Sequence, residues 1–443
     1  MENNKTKTRL SYGINDKPKP LTQFILGFQH IFAAFGGIIT VPIVIAGALH
    51  LDVTTTTFLI SSAILAAGTA TLIQSKGAGP VGAKVATIMG TDFTFVAPSI
   101  AVGSSFGLAG IFGAVILGSF TEIILSFFIR PIMKLFPPVV TGTVVTLIGL
   151  TLVPVAIDWG AGGSGAKDYG SFENIAIALV IMIVTLLINH YGKGMLSNCS
   201  ILIGMVVGYI LCIFLGKIDF STIESASWFA FPNIFAYGVT FKLSAVIAFI
   251  PAYIVSIIST VGCLKAVEEV SEVPTSSKRM ASGVLGDGIG SLVAGFVGAF
   301  PNTVFSQNVG LVSLTKVASK YVTIMAGIIL VVLGLLPKFA AIIDTIPLPV
   351  LGGVGIVMFG TVAAAGIQTL GKVKLSNRNL LIIAVSVAIG LGVTFRPEII
   401  DGLPQALKML FSSGISTGAI VAVILNLILV EKSDKKEVKQ EVE

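Results

Sequence analysis

Apolar stretches of about twenty residues, the length a helix needs to cross roughly 30 Å of hydrocarbon, recur from one end of this 443-residue chain to the other. NIAIALVIMIVTLLIN, residues 174–189, is one of them, without a single charge. Only 11% of the residues are charged, against about 25% in an average soluble domain. The mean hydropathy is +0.97. Such a chain cannot cover itself with polar side chains, so lipid has to be its solvent. The fold class that follows is an all-α polytopic membrane protein.

The polar features are few. Residues 1–20, MENNKTKTRLSYGINDKPKP, are polar and basic and carry no signal-peptide pattern. Cys199, Cys212 and Cys263 fall within apolar segments and suggest no disulfide framework. The net charge of +6 is spread over short loops and reads as membrane topology rather than nucleic-acid binding. His30, His50 and His190 stand in separate segments. With no nucleophile–base pair, no metal-ligand spacing and no phosphate loop, neither an enzyme nor a metal or cofactor site is expected.

Apolar windows and turn signals divide the chain into fourteen segments: 21–48, 55–75, 88–101, 105–129, 134–157, 171–191, 197–216, 242–265, 280–299, 306–318, 320–337, 346–369, 379–395 and 412–430. With both termini cytoplasmic, the 28 basic residues divide 22 inside to 6 outside, as the positive-inside rule requires. The third and tenth segments are too short to cross as helices. Residues 138–149, PVVTGTVVTLIG, lie over 349–360, PVLGGVGIVMFG, at a shift of 211. Two halves of seven must run in opposite senses through the bilayer. Paired short segments in inverted repeats point to a transporter's binding site.

The short segments carry the chemistry. AGPVGAKVATIMG precedes the first and GAFPNTV the second. Non-helical backbone is tolerated inside a membrane only where protein or a water-filled cavity covers it. Each following half-helix aims its N-terminal N–H groups at that cavity. The expected site is thus a wet slot between Phe93 and Gln307. Ser306, Gln307 and Asn308 open the second half-helix. A carboxamide suits a planar ligand edge with alternating donors and acceptors, and Gly310 allows close approach. Phe93 offers a face for ring stacking. Asp92 and Asp287 are intramembrane carboxylates and so functional candidates, though each also suits a helix cap or an inter-helix anchor. Gln29 and His30 lie in the first segment, Glu122 near Arg130 and Lys134. Glu268, Glu269 and Glu272 read as a solvated face, and Trp159, Trp228 and Tyr237 as an outer aromatic belt.

QNVGLVSLTK, residues 307–316, resembles the signature of the nucleobase–ascorbate transporter family. GFQHIFAAFGG (27–37), GTDFTFVAP (90–98), GDGIGSLVAGFVGAFPNT (286–303) and TIPLPVLGGVGIVMFG (345–360) are similar to family motifs in the same order. The resemblance implies a seven-plus-seven repeat with core and gate domains. Here the core would be 21–130 and 242–337, the gate 131–241 and 338–431, with cytoplasmic tails 1–20 and 432–443. It implies a homodimer through the gates, a plasma-membrane location and uptake of a nucleobase coupled to protons or sodium. By the same resemblance Gln307 contacts the base, a Gln there being more typical of purine carriers. Asn308 organises the site, Phe93 stacks on the ring, Asp287 is a required carboxylate, and Gln29–His30 support. The eighth segment departs from the pattern. STVGCLKAVEEVSEVP, residues 259–274, has Ser259 where the family commonly has a substrate-anchoring Glu, and Cys263 where it has Asp or His. Either Asp92 takes over, or the chain is a facilitator, carries something else or is impaired. The expected function is proton symport of xanthine or urate with an elevator-like core movement. A uracil carrier and an anion transporter of the same fold are the rivals.

Overall fold

The computed structural model describes residues 10–429 except 130, 132–134 and 232. The tail at 432–443, residues 1–9 of the 1–20 segment, and Arg130 and Lys134 as partners for Glu122 lie outside the described residues.

The chain is mostly helical. In order come α1 (Pro20–Ala48), α2 (Val53–Lys76), β1 (Met89–Thr91), a single turn at Phe93–Phe95, α3 (Val96–Ser126), α4 (Pro138–Gly160), α5 (Phe172–Tyr191), α6 (Met195–Asn198), α7 (Ser200–Phe214), α8 (Ser221–Ser225) and α9 (Leu243–Val270). Then follow α10 (Ser277–Phe296), β2 (Asn302–Val304), α11 (Gln307–Thr315), α12 (Lys320–Gly334), α13 (Pro337–Asp344), α14 (Leu348–Leu370), α15 (Asn377–Phe395), a turn at Pro397–Ile400, α16 (Gln405–Phe411) and α17 (Gly414–Ile428). Local chemistry sets many of the starts. Asp52 caps α2 by accepting from Thr55 N at 3.0 Å and Thr55 Oγ1 at 2.6 Å, bonds that hold its carboxyl below the ordinary carboxylate range. Ser171, Ser276, Ser376 and Ser413 cap α5, α10, α15 and α17 in the same way.

Among the described residues eight helices are long and apolar enough to span a bilayer, or nine when α12 and α13, bent by 82°, count as one. This is fewer than the fourteen expected; two further apolar helices, α7 and α17, are shorter than a span requires. The break expected at residues 102–104, between the third and fourth segments, falls slightly later, within the expected fourth segment. Gly107 sits at φ 65° inside α3 and divides it into a short first part and a longer second part.

The helices sort into two groups. α1, α2, α3, α9, α10, α11 and α12 pack around the strands, and α4, α5, α7, α14, α15 and α17 pack on one another. Lipid is as apolar as Leu, so contact between spans depends on close packing and small residues. α4 and α14, which carry the repeated sequence, show this most plainly. A Cβ on Gly149 would stand 2.3 Å from Ala363 N, and one on Gly366 2.3 Å from Thr146 N. The motif match is not uniform, because Gly360, the repeat partner of Gly149, has nothing within 4 Å.

Two surface readings need correction. Glu268 belongs to no solvated face. It is fully buried and paired with Arg279, because the α9–α10 loop folds back over it. Trp159 is in the core at 7% exposure rather than in a belt, whereas Trp228 is exposed with the Lys338 ammonium 4.5 Å above its ring.

Candidate functional site

The two short segments meet inside the first helix group. β1 and β2 pair antiparallel, with Met89 opposite Val304, Gly90 opposite Thr303 and Thr91 opposite Asn302. All six residues are buried. A two-stranded sheet buried in a membrane leaves two edges that need partners, and hydroxyls on neighbouring helices supply them. Thr71 of α2 accepts from Met89 N at 2.9 Å, and Ser291 of α10 accepts from Asn302 N at 3.1 Å. Thr91 Oγ1 donates to Ile38 O of α1 at 2.9 Å. The backbone continues the pairing: Asp92 N bonds Pro301 O, and Phe305 N bonds Ile88 O.

Close approach explains two glycines. The Phe305 ring fills the space where side chains on Gly37 and Gly90 would stand, 2.9 Å and 2.8 Å from ideal Cβ positions.

Beyond the strands the chain leaves in opposite directions. One strand leads to Asp92 and Phe93, the other to Ser306 and Gln307. α9 runs past both, packing on β2, on the turn at Phe93–Phe95 and on α11. This helix carries Ser259, half-buried, and Cys263, buried.

Each candidate has a definite place. Gln307 is the first residue of α11 and, like Ser306 before it, is exposed; Ser306 makes no side-chain cap. Asn308 is fully buried and joins α11 to α1, its Nδ2 2.7 Å from His30 Nδ1 and 3.3 Å from His30 O. Gln29 is half-buried beside it in sequence. Phe93 is half-buried and meets Phe359 of α14 edge-on, with ring centroids 5.4 Å apart, so it bridges the two helix groups. Asp92 is the residue before the turn, and its Oδ1 accepts from Thr94 N at 2.9 Å and Thr94 Oγ1 at 2.7 Å. Gly310 is open, with nothing within 4 Å of an added Cβ.

Asp287 anchors helices. Its Oδ1 accepts from Gln74 Nε2 at 2.9 Å, and its Oδ2 accepts from the Thr260 hydroxyl, which also reaches Thr303 Oγ1 of β2 at 3.1 Å. Gln74 binds Gly283 O and Ala83 N as well, at 3.0 Å and 2.8 Å. The carboxylate thus ties α2, α9 and α10 to the second strand. Gln74, Thr260 and Thr303 were not singled out from sequence. A glutamine near the end of an apolar span was the available signal.

Two crevices open on the seam between the helix groups. One, of about 520 Å³, is lined by His50, Asp158, Trp159, Asp344 and Leu351 among others. The second, of about 300 Å³, lies between α4 and α9 and is lined by Thr141, Ile257, Val261 and Lys265 among others. Phe93 and Gln307 line neither.

Comparison with known proteins gives a consistent relation. A family model described as the permease family matches residues 21–399. A Clostridium perfringens (strain 13 / Type A) protein, provisionally named a purine permease, is 62% identical over 432 residues, covering 98% of this chain and 96% of its own. The xanthine permease of Bacillus subtilis (strain 168) is 38% identical over 418 residues, covering 94% and 95%. The uric acid transporter UacT of Escherichia coli (strain K12) is 39% identical over 409 residues, covering 91% and 85%. Among solved structures, the transmembrane domain of the cyanobacterium bicarbonate transporter BicA matches with a TM-score of 0.60 at 15% identity, over 93% of this chain and 99% of that one. The murine solute carrier 26 family member A9 anion transporter matches with a TM-score of 0.60 at 12% identity, over 94% and 69%. At these identities the structural likeness is one of fold alone.

Proposed function

The chain belongs to the nucleobase–ascorbate transporter family of multi-pass membrane permeases, and from that membership we propose that it takes up a purine nucleobase, xanthine or urate, by proton symport. The observation that carries this reading is the antiparallel pairing of the two interrupted spans, which puts polar backbone ends inside an apolar slab. The base lies between Phe93 and Gln307, with Ser259 and Ser306 at its edge. The Gln307 carboxamide bonds the base through both donor and acceptor, while the Asn308–His30 pair holds the head of α11 in place. Phe93 leaves Phe359 to stack on the base, so substrate entry and the seam between the helix groups are linked.

The architecture in this reading is fourteen spans in two inverted sevens. Packing supports it. Numbered as spans, α2 on α12 is the pair two–eleven, and α10 on the second part of α3 is nine–four. Likewise α4 on α15 mirrors α14 on α5, and α15 on α17 mirrors α5 on α7. The strand pair and the α4–α14 pair map onto themselves, as elements on a two-fold axis must. The first helix group acts as the moving core and the second as the gate, through which two copies associate in the plasma membrane with both termini cytoplasmic. The two seam crevices are the faces along which the core slides.

The test is uptake of labelled xanthine by cells expressing the chain, in competition with urate and uracil and at several external pH values. Competition by urate but not uracil, with uptake rising as external pH falls, is expected. Preferential competition by uracil would reassign the substrate to a pyrimidine, and a flat pH profile would remove proton symport.

A further inference from the structure

Besides Glu268, which is paired with Arg279, the described residues of the first helix group bury three carboxyl groups, and they differ sharply in how they are satisfied. Both oxygens of Asp287 are bonded, to Gln74 and Thr260. Asp92 has one bonded oxygen, and its Oδ2 has no partner among the described residues. Glu122 is fully buried on the second part of α3, and neither of its oxygens has a hydrogen-bond partner among those residues. Gly288 lets α10 press closely against α3 at this point, an added Cβ standing 2.8 Å from the Ile123 side chain and 3.1 Å from Glu122 Cβ.

A second, independent group points the same way. Ser256 of α9 is fully buried, and its hydroxyl is the neighbour shared by Asp92 and Glu122. It makes no hydrogen bond of normal length to either. The other titratable groups facing Glu122 are Asp287 from α10, Asp92 from the interrupted span and Tyr253 from α9, whose hydroxyl donates to Val115 O at 2.9 Å. The ion pairs found among the described residues bring no Lys or Arg to Glu122 or Asp92. A carboxylate in hydrocarbon without a counter-charge is so costly that it binds a proton or a cation instead. No group of three His, Cys, Asp or Glu side chains at metal-binding spacing occurs among the described residues, which favours a single positive charge over a divalent ion.

We infer that Glu122, Ser256 and Oδ2 of Asp92 form a buried site for one monovalent cation, a proton or a sodium ion. The site deepens the transport reading and rests on it only for its coupling role. Asp92 caps the turn that carries Phe93, so a cation held at its second oxygen fixes the aromatic that faces the base. When the proton leaves, it leaves the Glu122 carboxyl as the anion, and Asp92 becomes free to shift.

The experiment uses the purified full chain in two arms. The first needs no base: infrared difference spectra of wild type against Glu122→Gln, with sodium or choline as the only cation. A carboxylic-acid carbonyl band lost in Glu122→Gln identifies a proton, and a carboxylate shift on adding sodium that is lost in Glu122→Gln identifies sodium. Absence of both overturns the site. In the second arm, proteoliposomes compare labelled-xanthine accumulation under an imposed pH or sodium gradient with exchange at zero gradient. The ratio is expected to fall about tenfold in Glu122→Gln and to fall also in Ser256→Ala. An unchanged ratio in both variants overturns the coupling role. Wild type that exchanges no base while keeping the Glu122 band would instead remove the nucleobase reading and leave the cation site standing.

Discussion

Asn308 spends its amide N–H groups on His30, and this one strut fixes the head of the half-helix that starts at Gln307. Replacing His30 with Leu removes the short bond to the ring and leaves the buried Asn308 amide only the longer one to the backbone oxygen of residue 30, at a cost of about 1–3 kcal/mol. Lower xanthine uptake and a lower melting temperature in detergent are expected, with His30→Gln recovering part of both. Equal stability and uptake in His30→Leu would show that the strut is idle. Asp287 behaves in the same way: Gln74→Leu removes its donor, and a melting point indistinguishable from wild type would contradict the anchor described above. At this scale the sequence was legible where a polar side chain interrupts an apolar run, as at Asp92, Asp287 and Asn308. It was not legible where the partner is a threonine. Thr260 and Thr303 look like ordinary span residues, and only the fold brings them to a carboxylate. For Glu122, spacing along one helix points to the basic residues beyond its end and says nothing of the buried Ser256 on another helix.

Between elements, glycine decides how closely spans approach. A side chain on Gly366 would strike the backbone of Thr146, whereas one on Gly360 meets open space. Gly366→Leu is therefore expected to abolish well-folded protein and Gly360→Leu to be tolerated, as fluorescence-detected gel filtration of tagged variants can show. If both behave alike, the α4–α14 contact is not as described. The repeat that located these helices was readable because its glycines and prolines recur at a fixed shift. Which of the glycines are crowded was not, since crowding depends on the facing helix. The interrupted spans were readable for a related reason. They are too short to cross and are flanked by Gly and Pro, so their backbone had to find partners. That the partners are each other, in antiparallel register, with Thr71 and Ser291 closing the edges, emerges only in three dimensions.

For the whole molecule, the central question is whether the two helix groups move past one another with a base held at the strand pair. Thr141 of α4 and Val261 of α9 line one seam crevice from opposite groups. Cysteines at both positions, joined by a short bifunctional thiol reagent in a chain with Cys263 replaced by Ser, are expected to stop uptake while leaving binding in detergent intact. Uptake that survives the cross-link would argue against sliding. The most direct test of the account is calorimetric titration of the purified chain with xanthine, for wild type and for Gln307→Ala and Phe93→Ala. The account predicts saturable binding to wild type, weakened about tenfold or more in each variant through loss of buried hydrogen bonds or ring stacking. Wild-type binding that neither substitution weakens would contradict it.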